Sequence, residues 1–311
     1  MRKSIFILIF VVSMCVCPLL ASSSDRAFME LCKSGTVSEI EKAIQAGADF
    51  YSADQNGITP LMNAARYNKN PDVILLLIKK GAQVNIRESR GYGYTPLLFA
   101  AAYNNARVVE ALVKNGADLN VTDRGSNYTA LRLAARQNDN PTVVAELIRS
   151  GANFRPKRGE QERAVWMNTW ALNDAAESNN TPATLANLIQ AGFDVNVMID
   201  GIFQRTPLMS AAERNGNPQI TEFLIKAGAR VNQANKEGQT ALMFAMNPRH
   251  KNPEIARILL SNGADVKLKD KSGRTAIDYA SDEMKKTDVF RSLLRALEPL
   301  PQNWSKNWSP S

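Results

Sequence analysis

Side chains able to do covalent or metal chemistry are few in this 311-residue chain. The single imidazole, His250 in Pro248-Arg249-His250-Lys251, excludes any multi-histidine metal site. Its polar neighbours suit a solvated turn residue better than a base or ligand. Of three Cys, Cys15 and Cys17 fall in an apolar N-terminal stretch, and Cys32 stands alone in Phe28-Met29-Glu30-Leu31-Cys32. No pair has zinc-ligand spacing, and Cys32 reads as a small buried hydrophobe on a first helix. Asp49, Asp118, Asp194 and Asp265 each follow a recurrent Gly, so they recur because a turn recurs, and they form no acid–base pair. Phosphate-cradling Gly-rich loops, nucleophile elbows and His–Glu helix motifs are missing. The expectation is a non-enzymatic protein with no cofactor and no catalytic or metal residue.

Recognition chemistry is better represented. Tyr, Trp and Arg are the types enriched at interface centres. They cluster at Tyr67, Arg90, Tyr92, Tyr94, Tyr103, Arg124, Tyr128, Arg158 and Trp166, with Phe203 further on. Glu88, Asp123, Glu160 and Glu162 are interleaved with these cations, and the formal net charge is a mild +8. A protein partner therefore suits the chain better than a nucleic acid. The sequons at Asn120, Asn127, Asn179, Asn303 and Asn307 matter only in a eukaryotic secretory pathway, and several of these Asn are also explained as turn or tail residues.

The elements that must carry these residues come from a repeat, although length alone suggests about two globular domains. A Gly recurs at 47, 81, 116, 151, 192, 228 and 263, at intervals of 34, 35, 35, 41, 36 and 35 residues. Ahead of it, in register, stand Thr59-Pro60-Leu61, Thr95-Pro96-Leu97, Thr129-Ala130-Leu131, Thr206-Pro207-Leu208, Thr240-Ala241-Leu242 and Thr275-Ala276-Ile277; Trp170-Ala171-Leu172 fills the fifth place. Thr is a helix cap and Pro is pre-set for the first helical position. Small pairs such as Ala64-Ala65, Ala101-Ala102 and Ala134-Ala135 let helices approach closely. A second start signal, Asn70-Pro71, Asn140-Pro141, Thr181-Pro182, Asn217-Pro218 or Asn252-Pro253, opens another amphipathic helix, which the Gly ends.

This pattern resembles the ankyrin repeat family, and the variant with Asn-Pro between the helices looks like that of exported bacterial ankyrin-repeat proteins. The resemblance implies an all-α solenoid of about eight helix-turn-helix units with finger loops, capped at both ends. The family's usual His after Thr-Pro-Leu is replaced by Met62, Leu98, Arg132, Met209 and Met243. The domain spans 25–298: a cap at 25–57, repeats from about 58, 94, 128, 169, 205 and 239, and a C-terminal cap at 274–298. A tail, 299–311, with Trp304 and Trp308 follows and is expected to be flexible. In such stacks the fingers and first helices line a concave face that holds a protein partner. From closing Gly to next helix start the fingers span 12, 14, 13, 19, 14, 12 and 12 residues, so the middle is elaborated. The resemblance thus places the ten recognition residues on the concave side of repeats two to five, in a protein expected to be monomeric.

The N-terminus carries an address. Arg2 and Lys3, an apolar run from Ile5 to about Leu20, and Ala21-Ser22-Ser23-Ser24 read as a signal peptide over 1–21. The stretch is short and Pro-broken for an uncleaved anchor, and Met14 and Val16 suit lipidation of Cys15 or Cys17 poorly. Export to the periplasm or beyond follows, with no membrane span left after cleavage. The alternative is a secreted host-directed effector or toxin-antagonist acting on another cell's protein.

Overall fold

The computed structural model describes residues 23–152, 170–199, 204–247 and 252–296. Each unit begins with a short helix whose start is written in its sequence. These first helices are α1 (Ser23–Ser34), α3 (Pro60–Tyr67), α5 (Pro96–Tyr103), α7 (Ala130–Gln137), α9 (Ala171–Ser178), α11 (Pro207–Arg214) and α13 (Ala241–Met246). Second helices return antiparallel to them: α2 (Val37–Gln45), α4 (Pro71–Lys79), α6 (Ala106–Lys114), α8 (Pro141–Arg149), α10 (Pro182–Gln190), α12 (Pro218–Lys226) and α14 (Glu254–Ser261). The last unit is a 3-10 turn at Ala276–Tyr279 followed by α15 (Asp282–Lys285) and α16 (Asp288–Ala296). First helices stack on first helices and second on second, which is the all-α solenoid that the repeat spacing predicts.

Capping works at most of the expected places. The hydroxyls of Thr59, Thr95, Thr129 and Thr206 accept the N–H three residues on. Trp170 has no hydroxyl and α9 starts without a side-chain cap. Thr240 also leaves its helix uncapped, and Thr275 instead donates its hydroxyl to the Asp278 carboxylate at 2.9 Å. Asn105 caps α6 through Val108 N–H with no Pro beside it. The second helices close on left-handed glycines, such as Gly81 at φ 110°, whose N–H donates to Ile78 carbonyl. In the second full unit the small pair in register with Ala64-Ala65 is Ala100-Ala101, one residue earlier than the sequence pattern suggests, and both are fully buried.

Between the helices of five successive units sits a buried Asn that joins its unit to the one before. Asn68 Nδ2 donates to the carbonyls of Cys32 (3.2 Å) and Gly35 (2.9 Å). Asn104 donates to Ala65 (2.8 Å) and Asn68 (2.9 Å), and Asn138 to Ala101 (2.8 Å) and Asn104 (2.9 Å). Asn179 donates to Asn138 (3.0 Å), and Asn215 to Ala176 (3.0 Å) and Asn179 (2.9 Å). Each side-chain carbonyl accepts a backbone N–H of the inter-helix turn, for example Asn70 N–H on Asn68 Oδ1 at 3.0 Å. Both ends of the amide are thus used, as burial demands. Asn179 is a sequon residue, and its burial closes it to glycosylation in the folded chain.

Turn chemistry explains the recurrent acids. Asp49, Asp118, Asp194 and Asp265 each accept the N–H two residues on, at 2.8, 2.8, 2.9 and 2.8 Å. At the finger tips Asp54, Asp123, Asn235 and Asp270 do likewise for pairs of N–H groups. Cys32 is fully buried and unpaired, and burial pushes its thiol up to about 12, so it is inert packing.

Replacing Asn104 with Ala strips two buried carbonyls of their donor and should cost about 2–3 kcal/mol. Urea unfolding of N104A measures this, with the exposed turn residue Asn262→Ala as a control changing stability by less than about 0.5 kcal/mol.

Candidate interaction face

The first helices and the fingers share one side of the stack, and charge divides that side in two. Toward the N-terminal end, Arg66 of α3 lies among aromatic rings, its guanidinium carbon 4.7 Å from the Tyr103 centroid, 5.0 Å from Tyr67 and 5.5 Å from Phe99. Tyr67 and Tyr103, at the ends of α3 and α5, are 44% and 43% exposed. Beside them is an open groove of about 510 Å³, walled by Arg26, Glu30 and Lys33 of α1 and by Asp54, Gln55 and Ile58 of the first finger. Met29, Met62, Asn63 and Phe99 form its floor.

The middle and C-terminal part of the same side is a lattice of paired charges. Arg132 Nε meets Asp174 Oδ2 at 2.6 Å, with the two side chains 4% and 7% exposed. Arg132 also stacks over Tyr128 (4.2 Å) and Trp170 (5.1 Å). Arg136 lies 3.7 Å from Asp174 and 3.4 Å from Glu177; Glu177 holds Arg214 at 2.6 Å; Arg214 meets Glu213 at 3.1 Å; and Glu213 meets Arg205 at 2.5 Å. Burial pushes the Asp174 carboxyl above its ordinary range, against the downward pull of Arg132 and Arg136. In the last unit Asp270 accepts from the Tyr279 hydroxyl at 2.5 Å, from Arg274 side chain at 3.0 and 2.9 Å, and from two turn amides. These donors, the Tyr279 hydroxyl foremost, lower its carboxyl to about 2.

The sequence-derived residues separate into groups. Tyr67 and Tyr103 flank Arg66, as above. Tyr92, 61% exposed, leans on Gly125 of the next finger, where an added Cβ would meet its ring at 3.0 Å. Arg90 and Arg124 are exposed finger residues whose backbone N–H groups join neighbouring fingers, Arg90 to Asn56 carbonyl (3.0 Å) and Arg124 to Tyr92 carbonyl (2.7 Å). Tyr128 is half-buried under Arg132 and Arg136. Tyr94 is the correction: only 8% exposed, its ring packs edge-on against Phe99 at 5.2 Å. It precedes the cap Thr95, and the finger turn folds it inward to cover that core ring. Arg158, Trp166 and Phe203 lie outside the described residues, as do His250, the 1–21 segment and the 299–311 tail.

Sequence reasoning passed over Arg66, Arg132, Asp174 and Glu177. A signal for two of them exists: Arg132 shares a column with Met62, Leu98, Asn173, Met209 and Met243, and Asp174 shares the next with Asn63, Phe99, Leu133, Ser210 and Phe244. Two neighbouring units each put a charge into a column that is otherwise uncharged in the six full repeats. Among the described residues no group of three or more His, Cys, Asp or Glu could hold a metal ion, and no helix is long and apolar enough to cross a membrane.

Stacked helix pairs with fingers and an aromatic, charged first-helix side define a class of interaction solenoid. The family model for ankyrin repeats (3 copies) matches residues 28–123, 88–158 and 172–270, and the chain belongs to the ankyrin repeat family. It is similar to the solved ankyrin repeat domain of Bcl-3, described as a unique member of the IkappaB protein family, with a TM-score of 0.56 and 26% identity over 78% of this chain and 100% of that one. It is also 34% identical over 91 residues to ankyrin repeat protein nuc-2 of Neurospora crassa, a stretch that is 29% of this chain and 8% of that protein. Ankyrin repeats make this chain a protein–protein interaction module.

D174N keeps shape but removes the buried carboxylate that meets Arg132 at 2.6 Å, and should destabilise by about 3–5 kcal/mol in urea unfolding. The double variant R132M/D174L replaces the buried pair with apolar side chains of the kind found at Met209 and Leu133 and should recover most of that loss. Asp270 supplies a pH signature with a definite sign. Its folded carboxyl titrates below the unfolded value of about 3.9, so its stabilisation is complete above about pH 4 and is lost as pH falls toward 2. The stability difference between wild type and D270N, followed by urea unfolding from pH 6 to pH 2, should shrink over that window.

Proposed function

We propose that this chain is exported and binds a protein partner through the finger and first-helix side of repeats two to five, acting as a monomeric, non-enzymatic adaptor. The observation that carries the reading is the exposed Tyr67–Arg66–Tyr103 cluster beside an open groove. Large half-exposed rings around a guanidinium are what interface centres are made of. Export rests on the basic, apolar and small-residue order of residues 1–21, and it places the partner in the periplasm or outside the cell.

The test expresses the tagged full chain in its native host and captures partners from the envelope and the medium. Y67A/Y103A, both substitutions at exposed ring positions, should reduce recovery of the captured partner at least about tenfold. Undiminished recovery would move the interface off this side. Intact-mass analysis of the recovered protein should show an N-terminus near residue 22, and an uncleaved chain in the cytosolic fraction defeats export.

A further inference from the structure

Among the described residues, Arg66 differs from the charge-lattice arginines of the first-helix side in having no anion. Arg132, Arg136, Arg205 and Arg214 are each held by Asp174, Glu177 or Glu213. Around Arg66 there are three rings and, among the described residues, no carboxylate within ion-pair distance. A half-buried guanidinium stacked on aromatic faces keeps its charge and its planar fork of donors, and it is more weakly hydrated than an ammonium. Such a group is pre-organised to take a carboxylate through two parallel hydrogen bonds.

The groove next to it bounds what that carboxylate belongs to. Its own acids are spoken for: Glu30 pairs with Lys33 at 2.6 Å, and Asp54 Oδ1 accepts the N–H groups of Asn56 (2.8 Å) and Ile58 (2.9 Å). Glu30 and Asp54 still stand on the walls, so a polyanion laid along the groove would meet like charge. Met29, Met62 and Phe99 on the floor ask for apolar side chains. An extended segment that alternates acidic and apolar residues fits both demands, whereas a continuous phosphate backbone fits neither.

We propose that this groove receives an extended acidic segment of the protein partner, with an Asp or Glu carboxylate on Arg66 between Tyr67 and Tyr103 and apolar side chains over Met29 and Met62. The proposal rests on the interaction reading above and narrows it to one chemistry. It accounts for an aromatic cage that contributes little to the core, since two of its rings stay half in water.

Phage-displayed random dodecapeptides selected on the immobilised full chain test it, because they sample acidic and apolar sequences without bias toward any one partner. The wild-type pool should be enriched in Asp and Glu interspersed with apolar residues. On R66Q the acidic enrichment should fall to the level of the unselected library. A selected acidic peptide should bind R66Q at least about tenfold more weakly, and R66K, which keeps the charge but not the fork, should fall between. Unchanged thermal unfolding of R66Q and R66K confirms that the fold is intact, and the R66K comparison stands if R66Q unfolds. A pool without acidic bias, or a bias that survives R66Q, overturns this proposal while leaving the interaction reading in place. An empty pool overturns this proposal, and the capture experiment decides the interaction reading. Tight, Arg66-dependent binding of a fluorescent dT20 oligonucleotide, with no acidic peptides selected, replaces the proposal with a nucleic-acid site.

Discussion

The stack depends on one buried amide in each of five successive units. Asn68, Asn104, Asn138, Asn179 and Asn215 each place a buried NH₂ against backbone carbonyls of the preceding unit. From Asn104 onward, one of those carbonyls belongs to the previous Asn itself. A continuous ladder therefore runs through five units. The carbonyl groups at a helix C-terminus have no partner within the helix, and here the next unit supplies the donor. Hydrophobic burial makes neighbouring units stick, but it is non-directional and tolerates sliding. The Asn ladder sets the offset between units, because a shift would orphan buried polar groups at every rung. Between Asn138 and Asn179 the repeat interval is 41 residues, yet the rung is made at 3.0 Å. The longer interval leaves that rung intact.

Once the offset is set, side chains at equivalent positions come together in columns, and the columns explain the face. An Arg and an Asp on neighbouring first helices meet only because their units are in register. A buried ion pair contributes little net stability, since desolvation offsets attraction, but each partner strongly penalises loss of the other. Arg132–Asp174 with its neighbours thus pairs the charges in the middle of the face among the described residues. Arg66, with three rings around it and no acid among the described residues, leaves the N-terminal end unsatisfied. The partition into a closed and an open region is a property of pairing across units.

Local signals made much of the fold legible. Thr or Asn caps, Pro at the first helical position and the closing Gly act within a few residues, so their spacing alone predicts helix pairs in the right places. Where a signal was missing the outcome was still local: Trp170 leaves α9 without a side-chain cap, and Asn105 caps α6 without a Pro. Side-chain direction was less legible. Tyr94 and Tyr92 sit two residues apart in one finger, yet one is buried on Phe99 and the other is in solvent. Strict period-two alternation would put both on one face, but a 14-residue finger has no regular strand from which to read it.

By itself the sequence determined the repeat, the helix pairs, the recurrent turn acids and the absence of catalytic motifs, because each is encoded by residues close together in the chain. It also held the Ala-Ala-x-x-Asn recurrence, though nothing local reveals that this Asn reaches back about 35 residues to its acceptors. Only the tertiary structure decided which charges are paired, which rings are buried, and that Arg66 is left with aromatic company and no anion among the described residues. Pairing energies depend on distance and burial between units, and those are fixed when the ladder aligns one unit on the next.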